Sequence, residues 1–144
     1  MLVQRTPSQS RPDGLFFDLF PLSVLTLSTL EQLSELEPES RFDGRRFRMN
    51  VIVGTPQRGF VENQWLGRKL AIGDQVRIDV TLPDPRCVMP SLAQEELPRD
   101  PGVLKALAKH NRIAVAGSLY PCAGIYAVVE GAGTIRVNDR VRLI

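Results

Sequence analysis

The chain has 144 residues, 43% of them apolar, enough to bury one core and too few for two comfortable ones. Eighteen Lys and Arg against sixteen Asp and Glu leave a net charge of +2, so no global field argues for nucleic acid or an acidic membrane surface, and any anion site must be local. Two cysteines in unlike contexts, Cys87 and Cys122, do not make the disulfide framework of a small secreted domain and point to a reducing, cytoplasmic setting.

Residues 1–14, with Gln4, Ser8, Gln9, Ser10, Pro12 and Gly14, lack apolar periodicity and are expected to form a loose tail ahead of a single domain over 15–144. The apolar stretch from Leu15 to Leu30 is interrupted by Asp18 and Pro21 and lacks a small-residue cleavage site, so it is expected to form core rather than a signal or membrane segment. Leu22 to Leu27 predicts a strand. Thr29 with Gln32 three places on fits a capping box for a helix from Leu30 to about Leu36, ended by Pro38, and the hydroxyls of Thr26, Ser28 and Thr29 then simply serve the cap. Alternation over Arg46 to Val53 predicts a strand ending at Gly54. Leu70 to Ile72, the turn Gly73-Asp74 and Gln75 to Leu82 predict a hairpin. Prolines at 83, 85 and 90 remove backbone donors and predict a rigid loop. Asp100 as N-cap and Pro101 at the first position open a second helix to about His110, with Leu104, Leu107 and Ala108 toward the core. Gly124 to Val129, Gly133 to Val137 and Val141 to Ile144 predict short strands joined by turns. The expected class is mainly β (α+β), a small barrel or folded sheet with two or more short helices rather than a doubly wound α/β fold.

Cys87 carries the sharpest chemical signal. It follows Arg86 in Pro85-Arg86-Cys87-Val88-Met89-Pro90, and a guanidinium beside a thiol favours the thiolate, the form that attacks electrophiles and binds soft metals. The ordinary alternative is a small buried hydrophobe. Arg46 and Arg48 in a strand would share one face with Asn50, converging on a phosphate or a heterocycle edge; the ordinary alternative is a solvated basic face. Glu62 and Trp65 form a smaller constellation in which the tryptophan reads as a core anchor. With one histidine, His110, a His-rich zinc or iron site is excluded, and nothing pairs Cys87 with His110 as a protease would need. No Cys-x-x-Cys, Gly-x-Ser-x-Gly, Walker or dinucleotide fingerprint occurs.

Taken in order, Phe47-Arg48-Met49-Asn50-Val51-Ile52-Val53, Glu62 and Trp65, Arg86-Cys87-Val88-Met89, and Gly133-Thr134-Ile135-Arg136-Val137-Asn138-Asp139 resemble a MOSC domain, the module named for the C-terminal domain of molybdenum cofactor sulfurases. The likeness runs from about Leu15 to Ile144. It implies a β-barrel that binds the molybdenum cofactor, a molybdopterin, with Cys87 as a thiolate ligand of the metal and Arg86 offsetting negative charge. Arg48 and Asn50 become expected pterin or phosphate partners, and Thr26 a further contact. Tyr126 matches a structural position of the family. Met49 stands where the family's Phe-Arg-Pro-Asn has proline. No Tyr-Pro-x-Lys-Ser motif, which helps hold the cofactor in longer members, occurs in these residues, so the phosphate grip is expected to fall on Arg45, Arg46 and Arg48 or on a partner. The resemblance further implies a reductase of small N-hydroxylated substrates such as amidoximes or hydroxylaminopurines. Because no flavin, haem or iron–sulfur motif is visible, an external electron-donor redox protein is expected. The alternatives are a non-catalytic carrier of the cofactor, or of sulfur as a persulfide on Cys87, and an interaction domain that has lost the cofactor.

Overall fold

Alternating β-branched and apolar residues build a sheet that is buried on both faces over much of its area. A computed structural model describes residues 1–5 and 22–144. In it the strands are β1 (Leu2–Arg5), β2 (Leu22–Thr26), β3 (Val51–Gly54), β4 (Lys69–Ile72), β5 (Val76–Pro85), β6 (Arg112–Val115), β7 (Ser118–Gly131) and β8 (Val141–Leu143). The helices are α1 (Leu27–Leu36) and α2 (Gly102–His110), and short 3-10 turns occupy Gly44–Phe47, Val61–Trp65 and Met89–Ser91. The sheet order is β1-β3-β2-β7-β5-β4-β8, with β6 folded onto β7 as a hairpin. Among the described strands only β2 and β3 pair in parallel, as expected for strands joined through a helical crossover.

The two faces carry separate cores. Val24, Val51, Val53, Ile125 and Ala127 point to one side, where Trp65, Leu70, Ile72, Ile78 and Val80 complete an interior. Their neighbours Leu25 and Ile52 point to the other side, onto Leu30 and Leu33 of α1 and Val103, Ala106 and Leu107 of α2. This period-two split explains why so short a chain buries two clusters.

The mainly β class with two helices holds. A closed barrel is not formed by the ladders among the described residues: β1 and β8 are the ends of the sheet order, joined only by an isolated bridge from Leu2 to Arg140 and by hydrogen bonds such as Val3 N to Asp139 O (2.9 Å) and Asn138 N to Val3 O (2.8 Å). Residues 2–5, expected in the tail, are a strand with Val3 fully buried; residues 6–14 of the expected tail and Leu15 to Pro21 lie outside the described residues. No described helix is long and apolar enough to cross a membrane.

Several local expectations change; among them, the N-cap of α2 is Pro101 and not Asp100. Helix α1 starts one turn early because Thr26, not Thr29, is its cap, with Thr26 Oγ1 accepting from Thr29 N at 3.2 Å. Strand β5 continues through Pro83 to Pro85, and register shifts between Val80 and Leu82 and between Pro83 and Pro85 accommodate the missing donors. The core-facing side of α2 is Val103, Ala106 and Leu107, so Leu104 and Ala108 are turned away from the core. Gly133 to Val137 is not a strand; the final third instead contains the β6–β7 hairpin, which turns through Ala116 (φ 50°) and Gly117 (φ 86°).

Candidate functional site

The segment from Asp43 to Asn50 begins with a carboxylate. Asp43 accepts from Arg45 N (2.9 Å) and takes the Arg45 guanidinium in a fork at 3.0 and 2.8 Å, which nucleates a 3-10 turn rather than the expected strand. The Arg45 hydrogen bonds hold the Asp43 carboxyl down to about 2. Phe47 and Met49 are then buried on either side of Arg48, whose backbone adopts the left-handed region (φ 52°) and whose side chain stays outside. Arg46, Arg48 and Asn50 therefore do not share a strand face.

Their individual partners differ as well. Arg46 is fully buried, and its guanidinium donates to Arg41 O (2.9 Å) and Pro98 O (2.9 Å), with longer contacts to Pro90 O and Leu92 O. It clamps the 90–98 loop to the 41–48 segment. Asn50 Oδ1 accepts from Ser23 N (2.8 Å) and Ser23 Oγ (3.0 Å), fixing the start of β3 to β2. Thr26 Oγ1 donates to the fully buried Glu62 at 2.6 Å, and Thr29 Oγ1 lies 2.8 Å from both oxygens of the same carboxyl. Burial pushes the Glu62 carboxyl up, against the opposing effect of these hydroxyl donors. Trp65, from the same turn, is an interior anchor as expected.

The Cys87 loop is docked onto the Asp43–Asn50 segment by Arg86. Its Nη1 bonds buried Asp84 (2.7 Å), its Nη2 bonds Phe47 O (2.7 Å), and its Cζ sits 6.0 Å from the centre of the Phe47 ring. Arg86 N also donates to Pro121 O at 2.8 Å. The guanidinium is thus occupied by a carboxylate, a carbonyl and a ring face, and Cys87 emerges next to it as an exposed free thiol. Gln94 adds a clasp: its Nε2 donates to Arg46 O and to Met89 O, both at 3.0 Å, and its Oε1 accepts from Arg48 Nε at 3.3 Å. Arg48, Met49, Gln94 and Glu95 line a cleft of about 310 Å³.

Cys122 is buried against its own strand, Sγ donating to Tyr120 O at 3.3 Å, and burial pushes its thiol up to about 11; it is not part of the site. His110 lies 2.9 Å from Glu37 at the end of α2, away from Cys87 in its hydrogen bonding. No group of three or more His, Cys, Asp or Glu is assembled among the described residues, so Cys87 stands as a lone soft donor.

Two site residues had no part in the sequence reading. Asp84 carried a usable signal, because in an extended segment it shares a face with Arg86 two places on. Gln94 carried none: it sits in the polar run Gln94-Glu95-Glu96, and only the fold brings it to Arg48. No curated protein matches the chain. The family model of the MOSC domain matches residues 13–142, most of the chain, and the chain belongs to the MOSC domain family.

Proposed function

We propose that this MOSC domain binds the molybdenum cofactor with Cys87 as the protein thiolate on the metal, and that it reduces small N-hydroxylated compounds with electrons from an external redox protein. The family is associated with molybdenum cofactor binding. The observation that carries the reading is the exposed Cys87 thiol on a loop pinned by Arg86 to Phe47 O, beside the cleft that Arg48 lines. A soft sulfur donor with a cation nearby suits a soft metal held by an anionic pterin, so the residues present fit the group. When bound, the cofactor would supply the two-electron chemistry that removes oxygen from an N–OH group.

The chain's own residues divide the remaining work. Cys87 donates the thiolate. Arg48 pairs with the cofactor's negative charge, exchanging its single bond to the neutral Gln94 for a charge-assisted one. Arg86, Arg46, Asn50 and Thr26 act on the cofactor through position: each has its described polar contacts within the protein, and together they fix the backbone from which Cys87 and Arg48 project. The hydrogen bonds between residues 1–3 and 138–141, which bring the two ends of the sheet order near each other, support the barrel-like arrangement implied by the family.

The test is the molybdenum content of protein purified without chelators from a cofactor-producing host, beside Cys87→Ser and a cofactor-deficient host. Near-stoichiometric metal that depends on both supports the reading, and reduction of an amidoxime with an artificial donor then tests the activity. A second reading, sulfur delivery through a persulfide on Cys87, is favoured by the scarcity of uncommitted cations in the cleft, where Arg45 is already forked onto Asp43. A persulfide mass on Cys87 without stable molybdenum selects it.

A further inference from the structure

Helix α2 is apolar on two sides. Val103, Ala106 and Leu107 face the core, while Pro101, Leu104 and Ala108, at i, i+3 and i+7, face outward together with Lys105. That outward stripe meets the turn after Cys87, where Val88 is 52% exposed, and between them lies a groove of about 350 Å³. Its walls are almost wholly hydrocarbon. Ser91, the buried polar residue at its base, has its Oγ accepting from Leu104 N at 3.1 Å.

Two cations border this groove, Arg99 and Lys105. Neither forms a salt bridge or a side-chain hydrogen bond among the described residues, unlike Arg45, Arg46, Arg86 and Lys109, each of which has partners. No carboxylate among the described residues lines the groove. The nearest in sequence, Asp100, is directed elsewhere, accepting from Gly102 N (3.0 Å), Ser40 Oγ (3.2 Å) and Arg41 N (3.1 Å). An apolar trough with two unpaired positive charges at its rim and no competing anion is complementary to one ligand chemistry, a compact hydrocarbon body ending in a carboxylate.

We propose that the groove between α2 and the 88–91 turn is a binding subsite for small apolar monocarboxylates, held by Val88, Leu104 and Ala108 through their hydrocarbon and by Arg99 and Lys105 through charge. Val88, which lines the groove, is the residue after Cys87. That the seated molecule is the non-reacting end of a substrate rests on the function proposed above; occupancy of the groove does not.

The experiment is a nitrogen-15 amide titration of the full chain with 2-naphthoate, the uncharged isostere 2-naphthamide, and the Arg99→Ala/Lys105→Ala and Leu104→Asp variants. It needs no bound metal, so its outcome is separate from the molybdenum assay. Shifts should concentrate at residues 88–91 and 101–108, with the carboxylate binding about fivefold tighter than the amide at low salt, a preference that shrinks as salt is added. The double variant should abolish the preference while leaving amide binding in place, and Leu104→Asp should weaken both ligands. Equal affinities, a preference that survives the double variant, shifts centred on Arg48 and Gln94, or no binding by either ligand would each overturn the proposal.

Discussion

Replacing Arg46 by alanine separates a structural clamp from a cofactor ligand. The guanidinium holds two short bonds to carbonyls, Arg41 O and Pro98 O at 2.9 Å each, and two long ones at 3.4 and 3.5 Å. Hydrogen bonds from a charged donor contribute about 1.5–3 kcal/mol each, so the two short ones amount to roughly 3–6 kcal/mol. Removing the charge also relieves its desolvation cost, which brings the net loss to about 3–4 kcal/mol. For a domain of this size that lowers the melting temperature by roughly 10 °C. Arg46→Lys can reach only part of the carbonyl set and should fall in between. Arg48→Ala, which deletes one bond of 3.3 Å at the surface, should cost under about 0.5 kcal/mol. Calorimetry on the three variants, with metal content measured on the same samples, gives the answer. If Arg46→Ala melted within about 2 °C of the parent yet lost molybdenum, the clamp would be wrong and Arg46 would be a ligand.

Other outcomes follow from single groups. The Glu62 carboxyl is raised above 4.5 in the folded state, so the folded chain holds that proton more tightly than the unfolded one; its stability contribution is full below the unfolded value and is lost as pH rises through the folded one. The melting temperature should therefore fall more steeply above pH 4.5 for the parent than for Glu62→Gln, and parallel curves would contradict this. Iodoacetamide on native protein should alkylate exposed Cys87 and spare buried Cys122 until denaturant is added, as read by peptide mass. Gly124 has φ +84°, and a Cβ there would meet Val24 O at 2.6 Å and Met49 Cε at 2.7 Å, so Gly124→Ala should cost about 2 kcal/mol or more in a urea melt.

What could be read in the residues and what could not divide along sequence distance. The β4–β5 hairpin, the β2 strand and the existence of both helices follow from alternation and prolines within a few positions of one another, whereas the N-caps fall at Thr26 and Pro101 and not at the expected Thr29 and Asp100. The segment around Arg46 misled because Arg46-Phe47-Arg48-Met49 alternates like a strand; the Asp43 carboxylate, reaching two residues along the chain, wins the backbone for a 3-10 turn and drives Arg46 inward. Leu104 and Ala108 misled for the opposite reason, since apolar spacing on a helix does not say which of two stripes the core takes. Proline and arginine mark Cys87 locally, and the structure leaves it an exposed free thiol. Gln94 is not marked in this way, because its three partners lie 5 to 48 residues away.

The joining of the first residues to the last has a consequence for synthesis. Residues 1–3 exchange hydrogen bonds with 138–141 on the side away from β3, and β8 supplies the outer partner of β4. A nascent chain released only as far as β7 therefore shows the open edge of β4, with unpaired amides and carbonyls between buried apolar residues. During synthesis this edge stays open until β8 has left the exit tunnel. Chaperone demand for this domain should thus last until β8 emerges, in contrast to domains whose early segments fold as they appear.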